Sequence, residues 1–300
     1  MHDRIDILIH ELDRFEPTPY VLNDLVAVWR SWGLDVRVQR DASAWGGPGV
    51  GLMHVDLTRV PRRHAQAASA YRRCLNGRVL DISKRVISGQ IVRRGDGYTG
   101  PVIVKTNLNY AGGKELEHAV RRPFGFLAKA RNRLPWVFRS ALGKKEYPVF
   151  VSPAKVPWLV WLNPDLVAER FLPETRDDGR FHVRTWFFLG DRDICVKYVM
   201  KRPVAVGSDI EGLSLEDSVP ELIRRRRHEL GFDYGKFDYA IHDGVPVLFD
   251  VNKTPSAGKL RTHPDFPGLM RHLAEGIRPW LDGASAPRHG PSTPGSVRAD

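Results

Sequence analysis

The segment that most constrains the fold runs from Phe237 to Asn252, where two apolar runs flank an Asp-Gly pair. An Asp-Gly pair in this setting is typical of a β-hairpin. Asp238, Asp250 and Asn252 lie inside the apolar runs, although Asp and Asn are poor strand residues. Their side-chain oxygens are the ligands that a hard cation such as Mg²⁺ prefers. The hairpin is therefore a candidate metal site; the alternative is a strand with ordinary polar residues on a solvated face.

The length of the hairpin loop decides whether these residues share a face. With a two-residue loop, Asp243-Gly244, Asp238 pairs with Phe249 and points to the opposite face from Asp250, because side chains alternate along a strand. With a three-residue loop that begins at His242, the register moves by one, and all three oxygen-bearing side chains share a face. We predict the three-residue loop, and the two-residue register would remove the metal site.

Composition places the chain among ordinary globular proteins. It has 300 residues, of which 42% are hydrophobic and 27% charged, enough for two domains or for one with a sizeable core. No apolar run is long enough to span a bilayer, and the residues after Met1 do not resemble a secretory signal. Cys74 and Cys195 form neither a disulfide framework nor a metal-binding spacing. We expect a cytoplasmic protein with no membrane partner.

The chain is basic, with a net charge of +11 and an isoelectric point near 9.8. Such a surface attracts polyanions, from nucleotides to nucleic acids. The densest cluster, Arg224 to Arg227, lies on a predicted helix, where four consecutive side chains cannot all face one ligand. This pattern favours a solvated face, with an acidic substrate or partner as the alternative. The histidines are scattered and show no His-x-x-x-His zinc spacing.

The N-terminal part predicts a small parallel sheet. A short apolar strand, 5–9, precedes a helix that ends at Gly33, and strands follow at 35–39 and 50–58. His54, Asp56 and Thr58 would alternate on one face of the third strand. These polar side chains are candidates for substrate contact at the strand's carboxyl end, or else for a hydrogen-bonded structural cluster.

A second group of residues suits a phosphate ligand. Lys105 stands near the end of a predicted strand that begins at Val102, and Gly112 and Gly113 follow in a loop. Glycines let backbone N–H groups approach phosphate oxygens, and a lysine adds positive charge. The glycine pair alone is equally typical of a plain turn. Neither a Walker nor a Rossmann glycine pattern is present.

Arg184 lies on the first strand of a long predicted hairpin, with strands at 181–189 and 194–200. A guanidinium in this place can stabilise phosphate charge, and the alternative is an arginine extended along an exposed sheet edge. The basic, proline-broken segment 115–147 is a candidate substrate lid. We expect the tail 283–300, rich in Gly, Pro, Ser and Ala, to be disordered.

From Lys84 to about Pro255 the chain resembles the ATP-grasp superfamily. The order and spacing of several short motifs carry the resemblance: Asp81-Ile-Ser-Lys84, Pro101-Val-Ile-Val-Lys105, Gly112-Gly113, Leu166 to Leu172, and the hairpin carboxylates. The family usually has Glu-x-Asn where this chain has Asp250-Val251-Asn252. Because Asp is shorter by one methylene, the number of bound ions can differ from the family pattern.

The resemblance implies a role for each matching residue. Lys84 and Lys105 would bind ATP, with Lys105 and Arg184 as the catalytic cations, and Gly112 and Gly113 would close over the phosphates. The remaining roles are an adenine linker at Glu169, Arg170, Phe171 and Leu172, a ribose contact at Glu174, and cation ligands at Asp238, Asp250 and Asn252.

The resemblance also implies a mixed α/β fold. A small N-terminal α/β domain, 1–82, would precede a two-lobed ATP-grasp domain, 83–282. The lid lobe would cover about 83–168 and the core lobe about 169–282, with the tail 283–300 outside. Family members often dimerise, so a homodimer is consistent with the resemblance.

The implied activity is an ATP-dependent ligase that activates a carboxylate as an acyl phosphate and couples it to an amine. ATP and Mg²⁺ (with Mn²⁺ as a substitute) would be the cofactors, and an acid and an amine of unknown identity the substrates. The basic residues and Mg²⁺ agree with this activity, because their positive charge would bring together the substrate carboxylate and the γ-phosphate of ATP. Two alternatives remain: a phosphotransferase on the same scaffold acting on a hydroxyl, and a basic nucleic-acid-binding protein.

Overall fold

The computed structural model describes residues 3–143, 147–204 and 209–282. The predicted disordered tail, 283–300, lies outside these residues, as does the 144–146 portion of the predicted lid segment. Among the described residues no helix has both the length and the apolar character to cross a membrane. Three sheets form the framework, and they follow one another along the chain.

The first sheet is parallel and has the strand order β2-β1-β3-β4. Its strands are β1 (Arg4–Leu8), β2 (Asp35–Gln39), β3 (Val50–Met53) and β4 (Cys74–Leu75), with helices α1 (Val21–Ser31) and α2 (Arg62–Ala68). The predicted parallel sheet is confirmed, but its third strand ends at Met53 rather than at residue 58. The polar residues that follow Met53 therefore lie in the loop beyond the strand.

Apolar periodicity explains how this unit packs. Ile5, Ile7 and Leu8 are fully buried, because β1 is central and covered on both faces. Helix α1 buries Leu22 and Trp29 at helical spacing, and the indole of Trp29 donates a hydrogen bond of 3.0 Å to the carbonyl oxygen of Ala274. This bond ties the N-terminal unit to a helix near the end of the described chain.

The second sheet is antiparallel, with the order β5-β8-β6-β7. Its strands are β5 (Ile91–Val92), β6 (Val102–Thr106), β7 (Val149–Phe150) and β8 (Leu166–Arg170). The helices of this lobe are α3 (Lys84–Ile87), α4 (Gly113–Val120), α5 (Gly125–Arg133) and α6 (Trp158–Leu162). The predicted interruptions of the basic segment are present, because α4 ends before Pro123 and α5 ends before Pro135.

The third sheet is antiparallel and has the order β12-β11-β10-β13-β14, with β9 paired to β10. Its strands are β9 (Glu174–Thr175), β10 (Phe181–Leu189), β11 (Arg192–Met200), β12 (Ile210–Glu216), β13 (Tyr234–His242) and β14 (Val245–Asn252). Helices α7 (Glu221–Glu229), α8 (Phe266–Ala274) and α9 (Arg278–Leu281) accompany it. The predicted α/β class, a small N-terminal unit followed by two lobes, is confirmed; the domain boundaries stay a prediction.

The predicted three-residue loop between β13 and β14 is wrong. The structure has the two-residue loop, in which Asp243 and Gly244 take left-handed φ values of 49° and 79°, and His242 pairs with Val245. This is the type I′ geometry that suits the twist of a hairpin and that Asp-Gly favours.

A β-bulge farther along the hairpin restores the shared face. The register shifts between Asp238 and Tyr239, so that Phe249 is the extra residue and Asp238 pairs directly with Asp250. Lys236 then pairs with Asn252. The carboxylates are thus neighbours despite the two-residue loop, because one inserted residue reverses the alternation of side chains.

The close contact between Gly276 and Leu189 predicts a stability effect. A Cβ atom at Gly276 would lie 1.8 Å from the carbonyl oxygen of Leu189, whereas one at Gly89 would meet nothing within 4 Å. We expect Gly276→Ala to lower the free energy of unfolding by about 1–3 kcal/mol through forced backbone displacement. Denaturant unfolding of this variant and of the Gly89→Ala control measures the difference, and equal stability of the two would contradict the packing described here.

Candidate active site

A cleft of about 370 Å³ lies between the second and third sheets. Charged side chains of both signs line it, Lys84 from α3 and the others from the two sheets: Lys105, Glu169, Lys236, Asp238 and Asp250. Apolar walls complete it, including Ile103 from the second sheet and Leu248 and Phe249 from the third. A mainly apolar cleft with a few convergent charges is the usual form of a small-ligand site.

Asp238 and Asp250 lie opposite one another on β13 and β14 at the floor of this cleft. The hydroxyl of Thr185 donates a hydrogen bond of 2.6 Å to Oδ1 of Asp238, and Nζ of Lys236 lies 2.9 Å from its Oδ2. Asp250 forms an ion pair with Lys84 and accepts a hydrogen bond from the N–H of Val251. The structure thus brings these two predicted cation ligands together.

This donor set fits a hard divalent cation. Asp238 and Asp250 present carboxylate oxygens from directly paired strand positions, whose Cβ atoms are typically about 5 Å apart. Asn252 shares their face, but its side-chain oxygen accepts hydrogen bonds from the N–H (2.8 Å) and the hydroxyl (3.1 Å) of Thr254. It does not line the cleft. The carboxylates are therefore the core of the candidate metal site, and Asn252 stands at its edge.

Both lysines that the sequence assigned to phosphate binding lie in the cleft. Lys84 begins α3 and is 5% exposed. Nζ of Lys105 lies 2.7 Å from Oε2 of Glu169 and 5.7 Å from the centre of the Phe249 ring. The other oxygen of Glu169, Oε1, is buried without a hydrogen-bond partner among the described residues. Such an atom is a ready acceptor for a ligand hydrogen bond.

Lys236 is a cleft cation that the sequence analysis missed. It stands two residues before Asp238 and therefore on the same face of β13, a signal that the alternation of side chains could have provided. Burial lowers the pKa of Lys236, but the carboxylates of Asp238 and Asp250 outweigh burial, and the net pKa lies above the ordinary lysine value. The side chain is accordingly a cation held at the two carboxylates of the candidate metal site.

Arg184, which the sequence placed beside the phosphates, lies on the other face of β10. Thr185 faces the cleft, so its neighbour Arg184 points away. There Arg184 pairs with Glu174 at 2.5 Å and with Glu216 at 3.4 Å, and these carboxylates outweigh burial and raise its pKa. The predicted contact of Arg184 with a triphosphate does not fit this placement.

Glu174, the predicted ribose ligand, is part of the same group on the far face. Its carboxylate accepts a hydrogen bond of 2.6 Å from the N–H of Ile241 and contacts the His182 ring at 3.0 Å, besides pairing with Arg184. It is not among the residues that line the cleft. Its carboxylate therefore holds β9, β10 and β13 together.

The predicted adenine segment, from Glu169 to Leu172, runs along the cleft as β8 ends. The N–H of Phe171 donates a hydrogen bond of 2.9 Å to the carbonyl oxygen of Pro101, and the guanidinium of Arg170 lies 5.0 Å from the centre of the Tyr98 ring. The chain is thus held in an extended form beside apolar walls. That form suits main-chain contacts to a flat heterocycle.

The loop before α4 contacts the cleft through Tyr110 and Ala111 rather than through the glycine pair. Tyr110, Ala111 and Gly112 take successive left-handed φ values of 48°, 55° and 76°. A Cβ atom at Gly112 would lie 2.6 Å from the carbonyl oxygen of Ser140, which explains the glycine by close packing. Gly112 and Gly113 are therefore behind the cleft surface, and their predicted phosphate contacts remain a prediction.

The polar residues after β3 form a hydrogen-bonded cluster. Asp56 accepts hydrogen bonds from the hydroxyls of Tyr20 (2.8 Å) and Thr254 (2.6 Å) and lies 3.4 Å from Nζ of Lys114. Thr58 accepts from the N–H of Asn109 at 2.7 Å. For the polar residues after β3, the interpretation as a hydrogen-bonded structural cluster is thus favoured over substrate contact. Thr254 connects this cluster to Asn252.

The arginine run on α7 is fully engaged by neighbours. Arg224 pairs with Asp193 at 2.9 Å, and Arg225 lies 3.7 Å from Glu229, which also pairs with Arg226. The guanidinium of Arg227 lies 4.0 Å from the centre of the Phe188 ring and donates a hydrogen bond of 2.7 Å to the carbonyl oxygen of Gly190. Because the four side chains point to different partners, they do not form one stripe for a polyanion.

Comparisons with known proteins find similarity of fold at low sequence identity. No protein-family model matches the chain, and no curated protein matches it. A RimK-domain ATP-grasp protein from Sphaerobacter thermophilus has 14% identity and a TM-score of 0.46, over 90% of this chain and 99% of the other. D-alanine–D-alanine ligase from Bacillus anthracis has 10% identity and a TM-score of 0.45, over 94% and 99%.

A peptide-associated ATP-grasp ligase from Chryseobacterium gregarium, solved with ADP and a leader and core peptide, has 10% identity and a TM-score of 0.45. This match covers 95% of the chain and 98% of the other protein. At TM-scores below 0.5 these likenesses assign no activity. An assignment has to come from the cleft itself.

Asp13 provides a pH-dependent test of the polar cluster beside Asp56. Burial first, and then the charge of Asp56, raise the pKa of Asp13 from 3.8 to about 6. The folded protein therefore holds this proton at pH values where the unfolded chain has lost it, and stability falls as pH rises from about 4 through 6.

We expect Asp13→Asn to remove this cost. The stability of the variant relative to the wild type should rise by roughly 1–3 kcal/mol between pH 4 and pH 7. Urea unfolding at both pH values measures the change. A difference that stays constant with pH would show that Asp13 is ionised in the folded state throughout.

Proposed function

We propose that this protein is an ATP-dependent ligase of the ATP-grasp type that activates a carboxylate as an acyl phosphate and couples it to an amine, with Mg²⁺ as the cation. One observation carries the proposal: three lysine–carboxylate pairs line a single cleft between two antiparallel sheets. The pairs are Lys84 with Asp250, Lys105 with Glu169, and Lys236 with Asp238.

The charge balance of these pairs favours a ligand that carries both signs. Each carboxylate is neutralised by a lysine, so a plain anion would leave the acids unpaired, and a plain cation would leave the lysines unpaired. A magnesium-bound triphosphate supplies a cation for Asp238 and Asp250 and phosphate oxygens for the lysines. Exchange of partners would thus keep Asp238, Asp250 and the three lysines paired when the ligand binds.

Bound ATP would supply the phosphoryl group that activates the substrate carboxylate. Lys84, Lys105 and Lys236 would lower the repulsion between the two anions that have to meet. No side-chain nucleophile is needed for this chemistry, although the hydroxyls of Thr185 and Ser256 line the cleft. Tyr110 and Ala111, at the rim, would help to exclude water from an intermediate that hydrolyses readily.

The segment from Glu169 to Leu172 would hold the base. Its extended backbone and the apolar walls at Ile103 and Leu248 offer a flat slot with polar main-chain atoms at one edge. The unpartnered oxygen of Glu169 would accept a hydrogen bond there. We propose ADP release as the product signal, with the acid and the amine still to be identified.

The two alternative functions predict different products and dependences. A phosphotransferase would use the same cleft and yield a stable phosphorylated hydroxyl, whereas a ligase releases ADP only when both an acid and an amine are present. A nucleic-acid-binding protein would need a basic stripe, and the four arginines of α7 are already paired. No observation on the described residues favours either alternative over the ligase.

Asp250→Asn tests the role of the paired carboxylates. We expect this variant to lose substrate-dependent ADP release by at least about a hundredfold, because an amide cannot replace a charged metal ligand. Asp243→Asn is a matched control, since Asp243 lies in the turn of the same hairpin and is 90% exposed. Full ADP release by Asp250→Asn would refute the proposal.

Lys236→Met tests the proposed role of Lys236 as a cation beside the phosphates. Loss of a charge aimed at the transferring phosphoryl group should lower kcat by about 10²–10³. Lys197→Met is the control, because Lys197 pairs with Glu216 on the far face of the same sheet. Steady-state kinetics of both variants separates the two faces, and equal losses would mean that the cleft is not the site of chemistry.

A further inference from the structure

A second cluster of metal-binding side chains lies apart from the cleft, at the carboxyl end of β1. His10 follows the strand, Glu11 is next to it, and His64 comes from α2. Both imidazoles are fully buried, and a third, His118 of α4, packs on the His10 ring with 4.5 Å between ring centres. The cleft chemistry proposed above uses none of these residues.

The distances between the donor atoms suit a transition metal. Oε2 of Glu11 lies 3.2 Å from Nε2 of His64 and 3.6 Å from Nδ1 of His10. One ligand atom from each of the three residues lies within 4.8 Å of the others. Tetrahedral zinc with bonds of 2.0–2.1 Å requires ligand atoms about 3.3 Å apart, so small adjustments complete the geometry.

Most nitrogens of these buried imidazoles lack a hydrogen-bond partner among the described residues. Nε2 of His64, a proposed ligand atom, forms no hydrogen bond there, and the same holds for Nδ1 of His64, Nε2 of His10 and Nδ1 of His118. The one bond at the proposed ligand atom of His10 comes from the N–H of Leu12, over 3.1 Å, and a coordinate bond would replace it. Buried nitrogens without partners are uncommon unless they serve a ligand or a reaction.

Glu11 connects the histidine pair with solvent. Its side chain is 40% exposed and lines a surface hollow of about 500 Å³ together with Arg40 and Gln66. Arg63 binds the other oxygen, Oε1, and so directs Oε2 toward the imidazoles. Of the three residues, Glu11 faces this hollow, and both histidines are fully buried behind it.

The protonation state of the histidines agrees with this geometry. Burial, partly offset by the charge of Glu11, lowers the pKa of His10 to about 4, and burial also lowers the pKa of His64. Both rings are therefore neutral at pH 7, which is the form that binds metals.

We propose that His10, Glu11 and His64 form a binding site for a divalent transition metal of the zinc class. Two buried nitrogens and one carboxylate oxygen are ligands that suit Zn²⁺, and water would take the fourth position. The site joins the loop after β1 to α2. Sequence spacing could not reveal it, because the two histidines come from separate elements.

Zinc titration of the full chain, free of affinity tags and treated with a chelator, tests the proposal. Calorimetry against a competing chelator should give one saturable site, and Co²⁺ should give the visible absorption of a tetrahedral nitrogen–oxygen site. Glu11→Gln should weaken Zn²⁺ binding at least about tenfold. Because Glu11 is on the surface, thermal unfolding without metal should show that this variant is folded.

Two further variants make the result specific. Glu16→Gln is the matched control, since Glu16 lies in the same loop and is exposed, and it should bind Zn²⁺ like the wild type. Asp250→Asn should also bind like the wild type, because the cleft carboxylates are a separate site. Absence of saturable binding, unchanged binding by Glu11→Gln, or loss of binding by Asp250→Asn would each overturn the assignment.

Discussion

The candidate site depends on the single bulged residue Phe249 in β14. Without it, the two-residue turn would place Asp238 and Asp250 on opposite faces of the sheet, and no cation could reach both. The bulge leaves Phe249 itself in the cleft, where its ring lies below the ammonium group of Lys105. One insertion therefore aligns the acids and also supplies an apolar wall. β-Bulges next to functional sites are commonly retained because they redirect side chains in this way.

The charge pairs in the cleft follow from that alignment. A carboxylate that is buried or partly buried is costly without a partner, and each of these acids is paired with a lysine. Lys236 shows the coupling most clearly, because the carboxylates of Asp238 and Asp250 raise its pKa against the effect of burial. Arg184 is also paired with carboxylates, but on the face of β10 that points away from the cleft. Its partners Glu174 and Glu216 are on the far face, where Lys197 also pairs with Glu216 and balances the charge of the group.

Sequence patterns predicted the elements better than the geometry that joins them. The parallel N-terminal sheet, the long β10–β11 hairpin and the positions of Lys105, Asp238 and Asp250 follow from apolar alternation and from residue type, whereas Lys84 is reached only through the family resemblance. The hairpin register does not follow from these patterns. Asp-Gly favours a two-residue turn, whereas a shared face for Asp238 and Asp250 requires a shift of register. The bulge satisfies both requirements. A bulge has no reliable local signature, so the shift was assigned to the loop.

The histidine cluster illustrates a different limit of prediction. His10, His64 and His118 belong to three elements, and only the packing of α2 and α4 against the end of β1 brings them together. Spacing rules detect ligands that share one helix or loop. Tertiary clusters of this kind are invisible to them. For Arg184, by contrast, the alternation of side chains along β10 is a local signal, because its neighbours Val183 and Thr185 line the cleft.

The N-terminal unit contributes to the site without lining the cleft. The side-chain oxygen of Asn252 is held by Thr254, whose hydroxyl is bound by Asp56, and Asp56 in turn is bound by Tyr20. The apolar core is also shared, because Ile7 and Trp29 belong to the same buried cluster as Phe187 and Met270. The orientation of Asn252 at the edge of the candidate metal site thus depends on packing that crosses the predicted boundary near residue 82. A change in the loop after β3 would therefore affect the candidate site through hydrogen bonds rather than through contact with the cleft.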